Sequence, residues 1–125
     1  MIVNFLDLNK QIKSIDKKIL NSIKKNISKS SYIGGEDLSR FQKNFSEYLN
    51  VKYCLGVANG TDALEIAIKC LGLKKKSEII VPANTWISTA ESVINNNYKL
   101  KFVDVDETHN ICIKDLQKKI SNKTS

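Results

Sequence analysis

The hydrophobic positions at the start of the chain repeat with the period of an α-helix. Between Lys10 and Lys29 the isoleucines recur at steps of three and four residues, with lysines between them. This spacing gathers the isoleucines into one stripe and therefore predicts an amphipathic helix. Small residues at 30–35 end that helix, and a second apolar stripe from about Glu36 predicts another. The stripe residues are Ile12, Ile15, Ile19, Ile23, Ile27, Leu38, Phe41, Phe45 and Leu49.

Beyond residue 50, short apolar runs alternate with helical patterns. Residues 53–58, 78–81 and 100–105 have the length and composition of β-strands. Such alternation is typical of parallel strands joined by right-handed helical crossovers, so the predicted fold class is α/β. A parallel sheet of about three strands is marginal by itself, and we expect the chain to be the front part of a larger domain. The predicted helices cover residues 62–71 (closed by Gly72), 85–95 and 113–120.

The length and composition are those of one ordinary domain. The chain has 125 residues with one proline and five glycines, which excludes collagen, proline-rich linkers and low-complexity sequence. No apolar run approaches the roughly 18 residues of a membrane-spanning helix. The first residues also lack the pattern of a secretory signal. We therefore expect a cytoplasmic protein that has no membrane partner.

The chain is basic, with a formal net charge of +7 at pH 7. Arg40 is the only arginine among the 20 basic residues, whereas proteins that read DNA bases favour the bidentate guanidinium group. The lysines of residues 10–29 have no aromatic residues between them that could stack on bases. We expect solvated helix faces and no nucleic-acid partner. A non-catalytic basic α/β module that binds RNA or a protein through its first helix stays open as an alternative.

Cysteine and histidine give no sign of a metal site. Cys54, Cys70 and Cys112 are odd in number and lack CxxC spacing, and His109 is the single histidine. A zinc site needs about four such ligands close together. We expect reduced, packed thiols, an exposed loop histidine and no bound metal.

The residues Asn59-Gly60-Thr61-Asp62 stand between a predicted strand and a predicted helix. At a helix start the first backbone N–H groups are unpaired and the helix dipole is positive, so a phosphate can bind there. Gly60 has no Cβ to hold an anion away, and the Thr61 hydroxyl can add a hydrogen bond. A plain turn capped by Thr or Asn is the alternative interpretation, because no GxGxxG or GK[ST] motif occurs.

A second candidate segment, Pro82 to Trp86, follows the next predicted strand. The carboxyl ends of parallel strands meet at one edge of the sheet, so Thr61 and Trp86 are expected to face the same crevice. The only tryptophan of the chain would then lie beside the anion site, where it suits stacking on a flat, phosphorylated heteroaromatic ring. Packing of the indole at a helix start is the alternative.

Several segments together resemble one known family in order and spacing. They are 32–35 (YIGG), 41–49 (FQKNFSEYL), 56–64 (GVANGTDAL), 78–86 (EIIVPANTW) and 102–106 (FVDVD). The chain thereby resembles the start of the DegT/StrS sugar aminotransferases, fold type I enzymes that use pyridoxal phosphate on nucleotide-linked keto sugars. The resemblance implies an N-terminal helical segment at 1–30 and, at 31–125, the first part of the large, aspartate-aminotransferase-like cofactor-binding domain.

Carried over position by position, the resemblance implies a set of site residues. The family's Gly-Thr-Asp segment holds the cofactor phosphate, its aromatic residue after Pro-Ala-x-Thr stacks on the pyridine ring, and its first loop lies near the sugar. The matching residues are Gly60, Thr61 and Asp62 for the phosphate, Trp86 for the ring, and Tyr32 and Gly34 for the substrate.

The resemblance also implies what this chain lacks. In the family, the Schiff-base lysine and the aspartate that pairs with the pyridine nitrogen lie downstream of the position of Ser125, so we expect an inactive fragment of an aminotransferase. The implied partners are a nucleotide sugar, glutamate as amino donor and a second copy in a homodimer, in amino-sugar biosynthesis for surface polysaccharide or a related glycoconjugate. Relatives with histidine in place of that lysine are dehydratases, which makes a pyridoxal-phosphate-dependent sugar dehydratase the alternative.

Residues 104–108 (DVDET) raise one further possibility. They match the DxDxT pattern of haloacid-dehalogenase-type phosphatases, in which two nearby carboxylates act on phosphate and hold Mg²⁺. That motif normally opens its domain, whereas only 17 residues follow Thr108 here. We therefore interpret Asp104 and Asp106 as solvated carboxylates in a turn at the end of a strand.

Overall fold

The computed structural model describes residues 5–125. These residues form two compact units, a first unit that ends at Gly56 and a second unit that begins at Val57. Within the described residues, no helix combines the length and apolar character that crossing a membrane requires. The division at residue 30 stays a prediction.

The first unit is helical, with α1 at Leu8–Ile12, α2 at Asp16–Ser28 and α3 at Glu36–Tyr48. The prediction of one continuous helix over residues 10–29 is wrong, because the helix is interrupted between α1 and α2. The Ser14 hydroxyl donates to the Gln11 carbonyl at 2.8 Å, and the Asp16 carboxylate accepts from the Lys17 N–H at 2.6 Å. Such short polar side chains compete with the helical hydrogen bonds of the backbone and favour a new helix start.

Asp37 connects α2 to α3. Its carboxylate accepts a hydrogen bond from the Asn26 side-chain amide at 2.8 Å and another from the Arg40 guanidinium. The Asn26 hydrogen bond, followed by the positive charge of Arg40, lowers the pKa of this carboxyl group. The α2–α3 contact therefore includes a carboxylate that is held in its charged form.

The prediction of a strand at residues 53–58 is wrong. In the described part of the chain, residues 52–58 form no backbone-to-backbone hydrogen bond, and the Gly56 N–H donates instead to the Gln42 side chain at 2.8 Å. A β-strand requires a paired neighbour for its backbone groups, and composition by itself supplies none. Tyr53 and Leu55 accordingly remain exposed.

The second unit is an α/β layer, as predicted. Its elements are α4 at Gly60–Cys70, β1 at Glu78–Pro82, α5 at Ile87–Asn95, β2 at Lys99–Val103 and α6 at Ile113–Lys119. Strands β1 and β2 are parallel, in a register that runs from Glu78 opposite Lys99 to Pro82 opposite Val103, and α5 connects them. The predictions of strands at 78–81 and 100–105 and of the helices around them are confirmed within two residues.

Strand β1 also has a neighbour on its other edge. The Glu78 N–H donates to the Lys123 carbonyl at 2.8 Å, and the Ser125 N–H donates to the Glu78 carbonyl at 3.1 Å. Thr124 thus pairs with Glu78 in a parallel bridge, opposite the side on which Lys99 pairs. The start of β1 is therefore the centre of the sheet.

The core of the second unit lies between α5 and the two strands. Its buried apolar side chains are Val81, Val93, Val103 and Ala90, and Ser92 beside them is fully buried. The Ser92 hydroxyl donates to the Thr89 carbonyl at 3.0 Å, so its buried polar group is satisfied. This small core holds the helix that follows β1 in place over the sheet.

Candidate functional site

The first turn of α4 has free backbone donors. Asn59 caps the helix, with its side-chain oxygen accepting from the Asp62 N–H at 3.0 Å, and the Ala63 N–H donates to the Asn59 carbonyl at 3.1 Å. Within residues 5–125, the N–H groups of Gly60 and Thr61 have no acceptor. Apart from the adjacent residues and the backbone of α4 itself, no protein atom would lie within 4 Å of a Cβ at Gly60, so the space around that position is open.

A hydrogen bond between side chains joins the starts of α4 and α5. The Thr61 hydroxyl donates to the Ser88 hydroxyl oxygen at 2.9 Å. Thr61 and Ser88 are each the second residue of their helix, and Ser88 is only 8% exposed. The amino-terminal ends of the two helices therefore lie together.

A second set of hydrogen bonds joins the same two helices further along. The Asn95 side-chain amide donates to the Glu65 carboxylate, and the Asn96 side-chain amide donates to the Glu65 carbonyl at 3.0 Å. Glu65 follows Thr61 on α4, and Asn95 and Asn96 follow Ser88 on α5. Since later residues of one helix contact later residues of the other, α4 and α5 run in the same direction. Their positive dipole ends consequently point to the same side of the second unit.

Trp86 stands immediately before α5, at the same end of the second unit. Its backbone is extended (φ −65°, ψ 140°), and its side chain makes no capping hydrogen bond and is 78% exposed. The structure thus brings Gly60, Thr61 and Trp86 to one end of the α4–α5 pair. Trp86 precedes by two residues the Ser88 that bonds to Thr61. An exposed indole and free backbone donors at the same end of a helix pair can together bind a ligand that is both flat and anionic.

Asp62 belongs to the same helical turn but has a different environment. Its N–H is taken by the Asn59 side chain, and its carboxylate lies 3.4 Å from the Asn59 side-chain nitrogen. An acidic side chain in the first turn interacts favourably with the helix dipole. Asp62 therefore supports the helix start, and a direct role toward an anion stays a prediction.

Tyr32 and Gly34 lie in the first unit, in the loop between α2 and α3. Tyr32 is 71% exposed, and Gly34 has a φ of 68° with no atom other than those of its adjacent residues within 4 Å of the position of a Cβ. This left-handed backbone favours glycine. The loop presents an aromatic side chain to its surroundings, and its role toward a substrate stays a prediction.

The carboxylates at the end of β2 are engaged in their own turn. Asp104 accepts from the Val105 N–H at 2.8 Å, and Asp106 accepts from both the N–H and the hydroxyl of Thr108. The Thr108 hydroxyl bond is the main cause of the lowered pKa of Asp106. In the described part of the chain, no group of three or more His, Cys, Asp or Glu side chains could hold a metal ion. These contacts are typical of a turn at the end of a strand.

The sequence pattern did not identify Ser88 as a residue of the candidate site. It is separated from Thr61 by 27 residues, and their contact arises only from the packing of α4 on α5. The one signal available in the sequence is a small polar residue two positions after the tryptophan, which is common at helix starts.

Comparisons with known proteins agree on one family. The family model of the DegT/DnrJ/EryC1/StrS aminotransferase family matches residues 13–125. A UDP-2-acetamido-2-deoxy-3-oxo-D-glucuronate aminotransferase from Pseudomonas aeruginosa is 33% identical over 124 residues, which are 98% of this chain and 34% of that protein. The chain thus spans about a third of the length of the curated relatives it matches.

Solved structures of the same class superpose on the chain. NtdA from Bacillus subtilis, with the cofactor PMP bound, gives a TM-score of 0.89 at 29% identity and covers 98% of this chain and 29% of its own. The Escherichia coli GDP-4-keto-6-deoxy-D-mannose-3-dehydratase, with hydrated PLP bound, gives 0.77 at 29% identity and covers 85% of this chain and 29% of its own. The fold is therefore that of the first third of these proteins.

Proposed function

The chain belongs to the DegT/DnrJ/EryC1/StrS aminotransferase family, and we propose that it forms part of an enzyme that transfers an amino group to a nucleotide-linked keto sugar with pyridoxal phosphate as cofactor. The Pseudomonas relative is named for such a reaction on a UDP-linked keto sugar. The observation that carries the proposal is the Thr61–Ser88 hydrogen bond, which joins the start of α4 to the start of α5, the helix that Trp86 precedes.

The start of α4 fits the phosphate group. Among the described residues no acceptor binds the N–H groups of Gly60 and Thr61, the position of a Cβ at Gly60 is open, and the helix dipole adds positive charge. Hydrogen bonds to a charged phosphate are each worth about 1.5–3 kcal/mol. These two residues would therefore supply a large share of the affinity for the cofactor.

Trp86 fits the ring. It is the only tryptophan of the chain, and its side chain is exposed at the start of α5. Offset stacking of two aromatic rings adds about 0.5–1.5 kcal/mol beyond the burial of their surface. When bound, pyridoxal phosphate serves as an electron sink that stabilises negative charge on the carbon next to the amino group. In this proposal the residues of this chain bind and orient the cofactor.

The remaining catalytic groups belong to a continuation of the chain in this proposal. The chain spans about a third of the length of its relatives, and we place the family's lysine and aspartate in the part that this chain does not span. We therefore propose that the 125-residue chain binds the cofactor without turnover. Turnover of glutamate and a keto sugar by this chain alone would contradict that part of the proposal.

The cofactor site can be tested on the chain as it is. Because Trp86 is the only tryptophan, titration with pyridoxal phosphate should quench its fluorescence with saturation. Pyridoxal, which lacks the phosphate, should bind at least about tenfold more weakly because it loses the hydrogen bonds at α4. Equal binding of the two compounds, or no saturable quenching, would refute the site.

A sugar dehydratase is the second candidate function. It is favoured by the match to the Escherichia coli dehydratase, which covers 85% of the chain. The residue at the Schiff-base position, lysine for an aminotransferase or histidine for a dehydratase, decides between them. Sequencing the coding region that follows Ser125 and assaying its product with glutamate and nucleotide-linked keto sugars would decide the reaction.

We also propose a cellular setting for the complete protein. It would be a cytoplasmic homodimer that uses glutamate as amino donor and makes an amino sugar for surface polysaccharide or a related glycoconjugate. Sedimentation of the complete protein tests the dimer, because a monomer at all concentrations would contradict it. Replacement of glutamate by other amino acids in the assay tests the donor.

A further inference from the structure

We propose that Ser88 is a positioning residue for the phosphate group of the cofactor, acting through Thr61. The inference rests on the proposed function and adds to it a residue on a different helix from the phosphate-binding turn. It starts from the 2.9 Å hydrogen bond between the two hydroxyl groups, which connects α4 to α5 across 27 positions of sequence.

Ser88 is well placed to hold the Thr61 side chain in one conformation. It is 8% exposed and lies in the first turn of α5, close to the buried Ala90 and Ser92. Thr61 is half-buried, and its χ1 angle has several staggered positions to choose from. The hydrogen bond to Ser88 selects one of them and so fixes where the Thr61 hydroxyl lies at the start of α4.

The pair of hydroxyl groups can also change the direction of its hydrogen bond. A hydroxyl donates one hydrogen bond and accepts up to about two. In the present arrangement Thr61 donates to Ser88. A phosphate dianion at α4 accepts only, so both hydroxyls would rotate: Ser88 donates to the Thr61 oxygen, and Thr61 donates to the phosphate. No proton is transferred, and each hydroxyl keeps its own hydrogen.

The same contact sets the spacing between the phosphate and the ring. Ser88 follows Trp86 by two residues, so anchoring Ser88 to α4 also fixes the start of α5 relative to Gly60 and Thr61. The packing of the two helices does not depend on this contact alone, since Asn96 donates to the Glu65 carbonyl at 3.0 Å further along. We therefore expect Ser88→Ala to fold.

The experiment compares Ser88→Ala, Thr61→Val and the double variant in the full 125-residue chain. Pyridoxal phosphate binding is followed by Trp86 fluorescence and by the ³¹P signal of the ligand. We expect Ser88→Ala to raise the dissociation constant for pyridoxal phosphate about tenfold and to leave pyridoxal binding unchanged. Ser92→Ala, a buried serine of the same helix whose hydroxyl bonds to Thr89, is the matched control with unchanged binding.

The double variant distinguishes a positioning effect of Ser88 on Thr61 from a general loss of structure at the helix starts. Since Ser88 acts through Thr61, adding Ser88→Ala to Thr61→Val should weaken binding no further, whereas independent effects would multiply. Circular dichroism checks the helical content of each variant. If Ser88→Ala loses helical content, Thr61→Val against Thr61→Ser repeats the test from the other partner, with only the Ser variant expected to bind normally.

The possible results distinguish the inference from the proposed function. Pyridoxal phosphate bound equally by the wild-type chain and Ser88→Ala would overturn the inference and leave the cofactor site standing. Multiplicative effects in the double variant, or equal binding by Thr61→Val and Thr61→Ser, would also overturn it. No saturable binding by the wild-type chain would overturn the cofactor site and the role of Ser88 together.

Discussion

Replacing Gly60 with alanine should separate the stability of the fold from binding of the cofactor. Gly60 is the first residue of α4, and its φ angle does not lie in the left-handed region, so alanine adopts the same backbone without strain. Apart from the adjacent residues and the backbone of α4 itself, no protein atom would lie within 4 Å of a Cβ there, so the methyl group would enter open space at the helix start. The new group therefore meets the ligand and not the protein.

Gly60→Ala should raise the stability of the fold and lower its affinity for the cofactor. Alanine in place of glycine at a compatible position stabilises a protein by about 0.4–1 kcal/mol, because the unfolded chain loses freedom. A methyl group in front of the Gly60 and Thr61 N–H groups would prevent at least one hydrogen bond to the phosphate, worth about 1.5–3 kcal/mol. Since about 1.4 kcal/mol is tenfold in affinity, the dissociation constant for pyridoxal phosphate should rise about ten- to hundredfold.

The assay pairs urea unfolding, followed by circular dichroism, with titration of Trp86 fluorescence. Gly72→Ala at the other end of α4 is the matched control. Its φ of 59° is left-handed, so alanine there should cost about 1–2 kcal/mol of stability while leaving the cofactor affinity of the folded chain unchanged. The two glycine variants are thus expected to show opposite results.

Two results for Gly60→Ala would contradict the expected effects. A Gly60→Ala chain that binds pyridoxal phosphate as tightly as the wild type would place the phosphate away from the start of α4. A Gly60→Ala chain that unfolds at lower urea would mean that the open space at Gly60 is filled by protein.

Two further predictions concern the fold. Val103→Ala removes two methyl groups from a fully buried site and should lower the free energy of unfolding by about 2 kcal/mol. Ile23→Ala, on a half-exposed helix stripe, should lower it by less. Equal urea midpoints for the two variants would contradict the core between α5 and the strands. The pKa of Asp37 is lowered by Asn26 and Arg40, so the stability that it adds to the first unit is present at neutral pH and is lost as the pH falls from the ordinary carboxyl pKa to the lowered one. Asp37→Asn should flatten that acid-side loss in a pH series of urea unfolding curves, and an unchanged slope would contradict the assignment.

Local sequence patterns were sufficient to predict most of the helices and strands. The spacing of apolar residues in α3, α4 and α5 repeats every three to four positions, and this period is a property of the helix itself. The Asn-Gly-Thr-Asp turn likewise carries its own cap, since Asn59 bonds to Asp62 only three residues away. Patterns of this kind act over one or two helical turns, so they can be found without knowledge of the neighbours.

The two wrong predictions concern residues 53–58 and 10–29, whose structure depends on hydrogen bonds that the hydrophobic pattern does not show. Residues 53–58 have the composition of a strand but have no backbone partner in the described chain, and strand formation depends on pairing. The helix predicted over 10–29 breaks where Ser14 and Asp16 bond to nearby backbone groups, a competition that hydrophobic period does not register.

The amino-acid sequence was enough to predict the helical periods and the residue types of the candidate site, because each depends on neighbours within a few positions. The contact between Thr61 and Ser88, and the position of Trp86 at the same end as Gly60, exist only in the folded chain. These contacts depend on how α4 packs against α5, and residues 27 positions apart leave no periodic trace of their meeting. Packing in three dimensions turned a capped helix and a tryptophan into one candidate site.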